Sequence, residues 1–320
     1  MLDVFFTVDV EIWCGGWDNL DEKFPQAFQR YIYGKTPQGY YGLPYQLQLL
    51  KDHGLDAVFF VEPLFSGRFG ISPLEEIIGL ICDAGQEVQL HLHPEWVDES
   101  TQPFLPYRVN KTSRLQAFSL NEQQVLVKTA AELVKKAHGG TVNAFRAGGF
   151  NFDTNTLLAL AANGIAFDSS YNGSLSGLSS GVMPGKLICE PLVYNGVSEY
   201  PMTVFRDGTG SLRHAQLGAC SFREVEGLLW RALELERTAF VILSHNFELL
   251  NTKRDRQDPI VTKRMRKLVN FFDRHRDCFR LCGFKNLRGL VSTNQPDPLS
   301  SPLWKTFLRI SEQARRLRYG

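Results

Sequence analysis

The chain has 320 residues, enough to bury a sizeable core as one large α/β domain or two smaller ones. Its hydrophobic fraction of 43% and charged fraction of 22% are those of a soluble globular protein. With 35 basic against 34 acidic residues there is no global field to hold a polyanion, so nucleic acid is not an expected partner.

Short apolar runs alternate with longer amphipathic segments almost from end to end, which predicts βα units and a mostly parallel sheet or barrel. Strands are predicted over 3–10, 56–62, 87–93, 142–147, 165–169, 199–205, 239–245 and 278–284. The clearest helices are "SPLEEIIGLICDAG", with Ser72 as cap and Gly85 as stop, "NEQQVLVKTAAELVKKAHGG", capped by Asn121 and closed by Gly139, and "SFREVEGLLWRALELER". Two long connections, 12–42 and 170–198, are rich in Gly with aromatics or Ser, and loops of that length are usually functional or mobile. The aromatics of the first (Trp13, Trp17, Tyr31, Tyr33, Tyr40, Tyr41) suit either sugar stacking or plain packing.

The tail "PLWKTFLRISEQARRLRYG" is a basic amphipathic segment, expected to dock on the domain through Leu303, Phe307 and Ile310, with contact to a membrane surface as the other reading. A catalytic domain over 1–290 and a tail over 291–320 follow as the expected division. No apolar run approaches the roughly 18–20 residues needed to span a bilayer. The N-terminus lacks a basic leader and a small-residue cleavage site, and six cysteines lie scattered without a CxxC pair. Both features fit a cytoplasmic protein with reduced thiols.

The chemistry gathers at the predicted strand ends. Asp9 and Glu11 end the first strand, His91 and His93 the third, Arg146 the fourth, Asp168 the fifth, and His245 the strand at 239. In a parallel barrel all strand C-termini meet at one face, where catalytic residues sit. Residues i and i+2 of a strand share a face, so Asp9 stands beside Glu11 and His91 beside His93. A carboxylate with two histidines suits an open zinc or other transition-metal site. An arginine near Asp9 would orient it and favour its ionised form. Asp168 reads equally as a turn or cap residue. His53, His138, His214 and His275 read as surface residues.

With these residues in place, the chain resembles the NodB-type polysaccharide deacetylases, the family-four carbohydrate esterases, and particularly their divergent WbmS-like branch. The motifs run in family order: "TVDVE", "QLHLHPEW", "FRAGGF", "FDSS" and "ILSH", over about residues 3–285. Two spacings depart from the usual pattern of adjacent aspartates and histidines four apart: Asp9-x-Glu11 and His91-x-His93. Either histidine is thereby left as ligand or as support for one.

The resemblance implies a distorted (β/α) barrel of about seven strands and metal-dependent removal of an N-acetyl group from an acetylated sugar. The sugar would belong to a glycan, a sugar nucleotide or a lipid-linked surface-polysaccharide precursor. It also implies Asp9 as general base and His245 as general acid, with Arg146 orienting the base, and Asp168 of the matched "FDSS" stands with them as a catalytic candidate. Glu11, His91 and His93 would be ligands of a divalent metal, with zinc favoured. Two rivals remain open at this point. One is a metal-independent glycoside hydrolase using Asp9 and Glu11, and the other a glycan-binding protein that kept the barrel and lost catalysis.

Overall fold

The computed structural model describes residues 1–107, 109–289 and 294–317. Strand β1 (Leu2–Val10) is buried along its whole length, as an unbroken apolar run must be when both faces of a parallel sheet are covered. Alternation assigns its faces: Val4, Phe6, Val8 and Val10 pack in the outer core beneath the helices, while Phe5 joins a separate inner cluster. Thr7 and Asp9 therefore follow Phe5 towards the inside.

The remaining strands of the main sheet are β2 (Val58–Val61), β3 (Glu87–Leu92), β4 (Ala144–Ala147), β5 (Phe167–Asp168), β6 (Leu192–Tyr194), β7 (Val197–Glu199), β8 (Ala239–His245) and β9 (Phe279–Leu281). The order is β8-β1-β2-β3-β4-β5-β7-β6, with β9 paired beside the start of β1. All pairings are parallel except the β6–β7 hairpin at one edge. The sheet curls into a half-barrel, and the parallel architecture expected from the sequence is what the chain adopts. Below the strand ends its concave side is plugged by Phe5, Phe60, Phe167, Tyr200 and Phe284, with the Phe284 ring 4.9 Å from Phe5 and 5.5 Å from Tyr200. This apolar floor leaves polar side chains a place only at the upper, C-terminal rim.

Helices α1 (Leu20–Tyr31), α2 (Leu43–Asp52), α3 (Ser72–Asp83), α4 (Leu120–Lys136), α5 (Thr154–Ala162), α6 (Phe222–Glu234), α7 (Pro259–Arg274) and α8 (Leu303–Arg316) surround the sheet. Several local expectations are corrected. The cap of α4 is Ser119, in a capping box with Glu122, and Asn121 lies inside the first turn. Ser72 likewise sits inside α3 and makes no cap bond. The strand expected over 199–205 is split between the end of β7 and Val204–Arg206, which pairs with Leu212–His214 and Leu299–Ser300 in a small separate sheet. The connection 12–42 holds α1, and 170–198 holds β6, so neither is a structureless loop.

The tail is corrected more deeply. Residues 291–293 and 318–320 of the expected tail lie outside the described residues, but α8 is docked, and by its polar side. Arg309 pairs with Asp207 at 2.6 Å, Thr306 Oγ1 accepts the Gly208 N–H at 2.9 Å, and Arg316 pairs with Asp258 at 2.6 Å. Leu303, Phe307 and Ile310, the expected docking residues, are 49%, 62% and 52% exposed. Asp207 and Asp258 are buried acids that need a cation, and meeting that need turned the helix over.

Asp168 and Glu199 are register neighbours on β5 and β7, both wholly buried. Ser170 Oγ donates to Asp168 Oδ1 and the Tyr171 N–H to Glu199 Oε1, while Asp168 Oδ2 and Glu199 Oε2 meet no other donor. Burial, with the Asp168 charge adding to it, pushes the Glu199 carboxyl well above the usual range, so the pair retains a proton. The unfolded chain gives that proton up near pH 4, so the pair's contribution to stability is lost as pH rises from there towards the folded pKa. Glu199→Gln supplies a donor that needs no proton. It is expected to raise the thermal midpoint at pH 8 by the equivalent of about 1 kcal/mol and to flatten the decline in stability between pH 6 and 8. An unchanged slope in thermal melts across that range would remove the shared proton from the account.

Candidate active site

Four strand ends build the site. Strand β1 carries Thr7, Asp9 and Glu11 upward at successive rungs, and Asp9 sits opposite His245 of β8 in the parallel register. β3 delivers His91 opposite Arg146 of β4, with His93 one rung higher. The i, i+2 spacing in each pair thus does what a strand makes it do, placing two polar groups side by side on the concave face.

Arg146 is fully buried and every donor group has a use. Its guanidinium bonds Asp9 Oδ1 at 2.7 Å, Thr7 Oγ1 at 2.8 Å, Ser169 Oγ at 3.0 Å and Ser169 O at 3.1 Å, over the Phe60 ring at 4.4 Å. Asp9 is held through Oδ1, with its second oxygen uncommitted to Arg146.

Glu11, His91 and His93 converge. His91 Nε2 lies 3.1 Å and His93 Nε2 3.0 Å from Glu11 Oε1. The other nitrogens are held from behind: His91 Nδ1 is 2.8 Å from the Arg146 carbonyl and His93 Nδ1 3.2 Å from Glu95 Oε2. That backing sets the tautomer in which Nε2 faces inward, the usual arrangement behind metal-ligating histidines. Trp13 Nε1–H donates to Glu11 Oε2 at 2.6 Å, which leaves Oε1 as the inward oxygen. Glu11, His91 and His93 thus offer three ligand atoms within 4.8 Å of one another, and Asp9, Glu11 and His245 form a second such group.

The electrostatics favour positive charge at the centre. Burial raises the Glu11 carboxyl, but the His93 charge and the hydrogen bonds of both imidazoles outweigh it and hold the group well below its ordinary range. Burial lowers His93, yet Glu11 and Glu95 overcome that and lift it to about 10. A divalent cation supplies the same positive charge at the same point, so the donor set fits one with two imidazoles and a carboxylate.

His245 stands across the site. Its Nδ1 is 2.7 Å from Glu248 Oε2, and its ring stacks on Phe247 with centroids 5.2 Å apart. Burial lowers its pKa, but the Glu248 hydrogen bond and charge, with Glu11 and Asp9 behind them, raise it to about 9. These acidic neighbours favour its protonated form.

The structure brings together Asp9, Glu11, His91, His93, Arg146 and His245. It does not bring Asp168 with them, because the face of β5 that looks inward carries Phe167, and from that segment Ser169 reaches Arg146 instead. Asp168 stays on the outer face beside Glu199.

Sequence reasoning missed Trp13, Glu95, Ser169 and Glu248, each of which acts by fixing a neighbour. Glu95 and Glu248 lie two and three residues after a site histidine, a spacing that offered a signal. Gly148 lets the backbone pass close beside His93: a Cβ there would lie 2.5 Å from Nδ1. His214, expected at the surface, is half-buried between Ser174 Oγ at 2.9 Å and Gln216 Oε1 at 3.2 Å. Trp13 and Trp17 pack on Trp96, and Tyr31 is buried, so in these residues the aromatic segment is packing.

No family model matches the chain, and no curated protein matches it in sequence. Solved structures do. A protein from Mycobacterium smegmatis, provisionally described as a polysaccharide deacetylase, is 17% identical with a TM-score of 0.55, over 92% of this chain and 94% of that one. A 4-alpha-glucanotransferase from Thermococcus litoralis reaches a TM-score of 0.54 at 10% identity, over 94% of this chain and 42% of that one. A family 4 carbohydrate esterase from Streptomyces lividans is 12% identical with a TM-score of 0.44, over 92% and 97% of the two chains. Identities this low speak for the fold, and none singles out the WbmS-like branch. Proteins of different chemistry share that fold, so the activity has to be read from the side chains. At the level of fold, then, the expectation from the sequence motifs holds: the chain has the (β/α) half-barrel of the NodB-type polysaccharide deacetylases, the family-four carbohydrate esterases.

Proposed function

We propose that the chain is a metal-dependent deacetylase that hydrolyses the N-acetyl group of an acetylated sugar. The observation that carries this reading is the meeting of His91 Nε2, His93 Nε2 and Glu11 Oε1 beside an Arg-held Asp9 and a His245 held by Glu248. A divalent ion held by Glu11, His91 and His93, with zinc suited to this donor set, would polarise the acyl carbonyl and make water acidic enough to attack near neutral pH.

The chain's own residues do the rest. Asp9, oriented by Arg146, accepts the proton of the attacking water as its oxygen adds to the acyl carbon. His245, held by Glu248 through Nδ1, donates its Nε2 proton to the amide nitrogen as the C–N bond breaks, giving acetate and a free amine. Proton transfer of this kind contributes on the order of 100- to 10,000-fold. The substrate would be the N-acetylated sugar of a glycan, a sugar nucleotide or a lipid-linked precursor.

The glycoside hydrolase reading needs one carboxyl that keeps its proton at the site. Asp9 is tied to Arg146, and Glu11 is held ionised by two imidazoles. Glu62, which burial pushes up to about 8, turns its oxygens back onto the Leu64 and Phe65 N–H groups. A binding protein that had lost catalysis would have no use for a complete base, acid and ligand set.

Elemental mass spectrometry of the purified protein is expected to find close to one equivalent of zinc or another transition metal, lost in His91→Ala and in His93→Ala. Gly148→Ala, which pushes on the His93 ring, is expected to weaken metal affinity roughly 10- to 100-fold. A folded wild type that stays empty when soaked in metal overturns the reading. His245→Ala should cut turnover of an N-acetylated sugar by at least about 100-fold with metal retained. Glu248→Gln removes the charge that raises His245, so the alkaline limb of the kcat/KM profile should move to lower pH; a profile that does not move would separate Glu248 from the acid.

A further inference from the structure

Helix α8 is amphipathic in an inverted sense. Its polar residues Thr306, Arg309 and Arg316 face the domain, and Leu303, Phe307, Ile310, Ala314 and Leu317 form an outward seam at spacings of four and three. Along that seam Phe307 is 62% exposed and Leu317 82%, and Trp304 beside it is 55% exposed. Next to the C-terminal half lies a groove of about 420 Å³, lined by Phe222, Lys263, Lys267 and Arg315 among others. The three cations are exposed, and the one acid there, Glu312, is tied to Arg264 at 2.7 Å. Towards the N-terminal half Lys305 lies over the Trp304 ring, and Glu226 is paired with Arg223.

An occupant must therefore offer apolar surface and negative charge together. A second copy does neither well. The 14-residue helix is about 21 Å long and a seam about 10 Å wide, far short of the roughly 800 Å² per partner of a standard interface. In a two-fold pair the same patch meets itself, and among the described residues this patch holds no free acid for its cations. We infer that α8 is an in-plane anchor for an anionic bilayer surface. Its apolar seam enters the acyl boundary, Trp304 sits at the headgroup level, and the Lys263–Lys267–Arg315 groove takes phosphate-bearing headgroups.

The anchor is joined to the site. Arg264, Gln313 and Arg316 all bond the Gly218 carbonyl, and Gly218 abuts the Glu248 carboxylate that holds His245. Of the substrates open under the deacetylase reading, a lipid-linked glycan is the one such an anchor would serve, and that step alone rests on the reading.

Cosedimentation of the full, metal-loaded chain with phosphatidylcholine vesicles carrying phosphatidylglycerol as about a third of the lipid tests the inference. Binding is expected to these vesicles, to weaken as salt rises, and to be at least about tenfold weaker to pure phosphatidylcholine. Phe307→Glu with Ile310→Glu should lose at least about tenfold in binding. Lys263→Glu with Lys267→Glu should abolish the preference for anionic lipid. Both double variants should keep the wild-type metal content and thermal midpoint, since neither touches the docking face, so a failed anchor is distinguishable from a failed metal site. No binding to the anionic vesicles, or binding that neither double variant changes, overturns the inference. So does a concentration-dependent dimer in sedimentation that the Phe307→Glu, Ile310→Glu variant abolishes, which assigns the seam to a second copy.

Discussion

The Arg146 guanidinium is the constraint on which the site depends. A cation buried without access to water is tolerated only where it is paired and hydrogen-bonded, and here all three guanidinium nitrogens find partners across the sheet. It holds Asp9 of β1, takes up Thr7 one rung below, and closes on Ser169 beyond β5. Its carbonyl, meanwhile, fixes the His91 ring. Asp9 and His91 are thus positioned from the same residue. Stranding the guanidinium by removing Asp9 would cost roughly 3–5 kcal/mol, so this pair is structural and chemical at once.

The fold makes such a polar layer affordable by separating it from what lies below. An aromatic plug fills the concave side up to Phe60, and the guanidinium lies directly on that ring. Above it the groups follow rung by rung along β1: Thr7, then Asp9 with His245 opposite, then Glu11. Parallel strands end together, so one face of the sheet collects groups from sequence positions more than 230 residues apart, as Asp9 and His245 show. Fold alone does not choose a reaction, and what sets this site apart is the tie of each carboxylate to a cation or an imidazole.

Around the site, orientation comes from residues that stand behind the converging groups. Glu95 stands behind His93, Glu248 behind His245 and Trp13 against Glu11, each by one hydrogen bond. Gly148 leaves room for the His93 ring where any side chain would displace it. The closer spacing of His91 and His93 is accommodated because both are carried at the end of one extended strand, where neighbours two apart already share a face. At the periphery the same logic runs in reverse: buried Asp207 and Asp258 draw the polar face of α8 inward, and the apolar face is left outside.

The sequence by itself determined the parallel α/β class, most strand positions, and the six polar groups that meet at the rim. Burial on both faces demands continuous apolar runs, and strand alternation places i and i+2 together without help from the rest of the chain. It also carried the family resemblance that the fold bears out. Tertiary structure alone decided the rest. Asp168 and Ser169 are adjacent in "FDSS", and only the inward turn of Phe167 shows that Ser169 reaches Arg146 while Asp168 pairs with Glu199. The 12–42 segment reads as a loop until α1 packs against the core. The amphipathic pattern of α8 is plain in the sequence, but not which side docks. Hydrophobic spacing tells that a helix has two faces, whereas buried acids on distant segments, brought close only by folding, settle which of the two the protein needs.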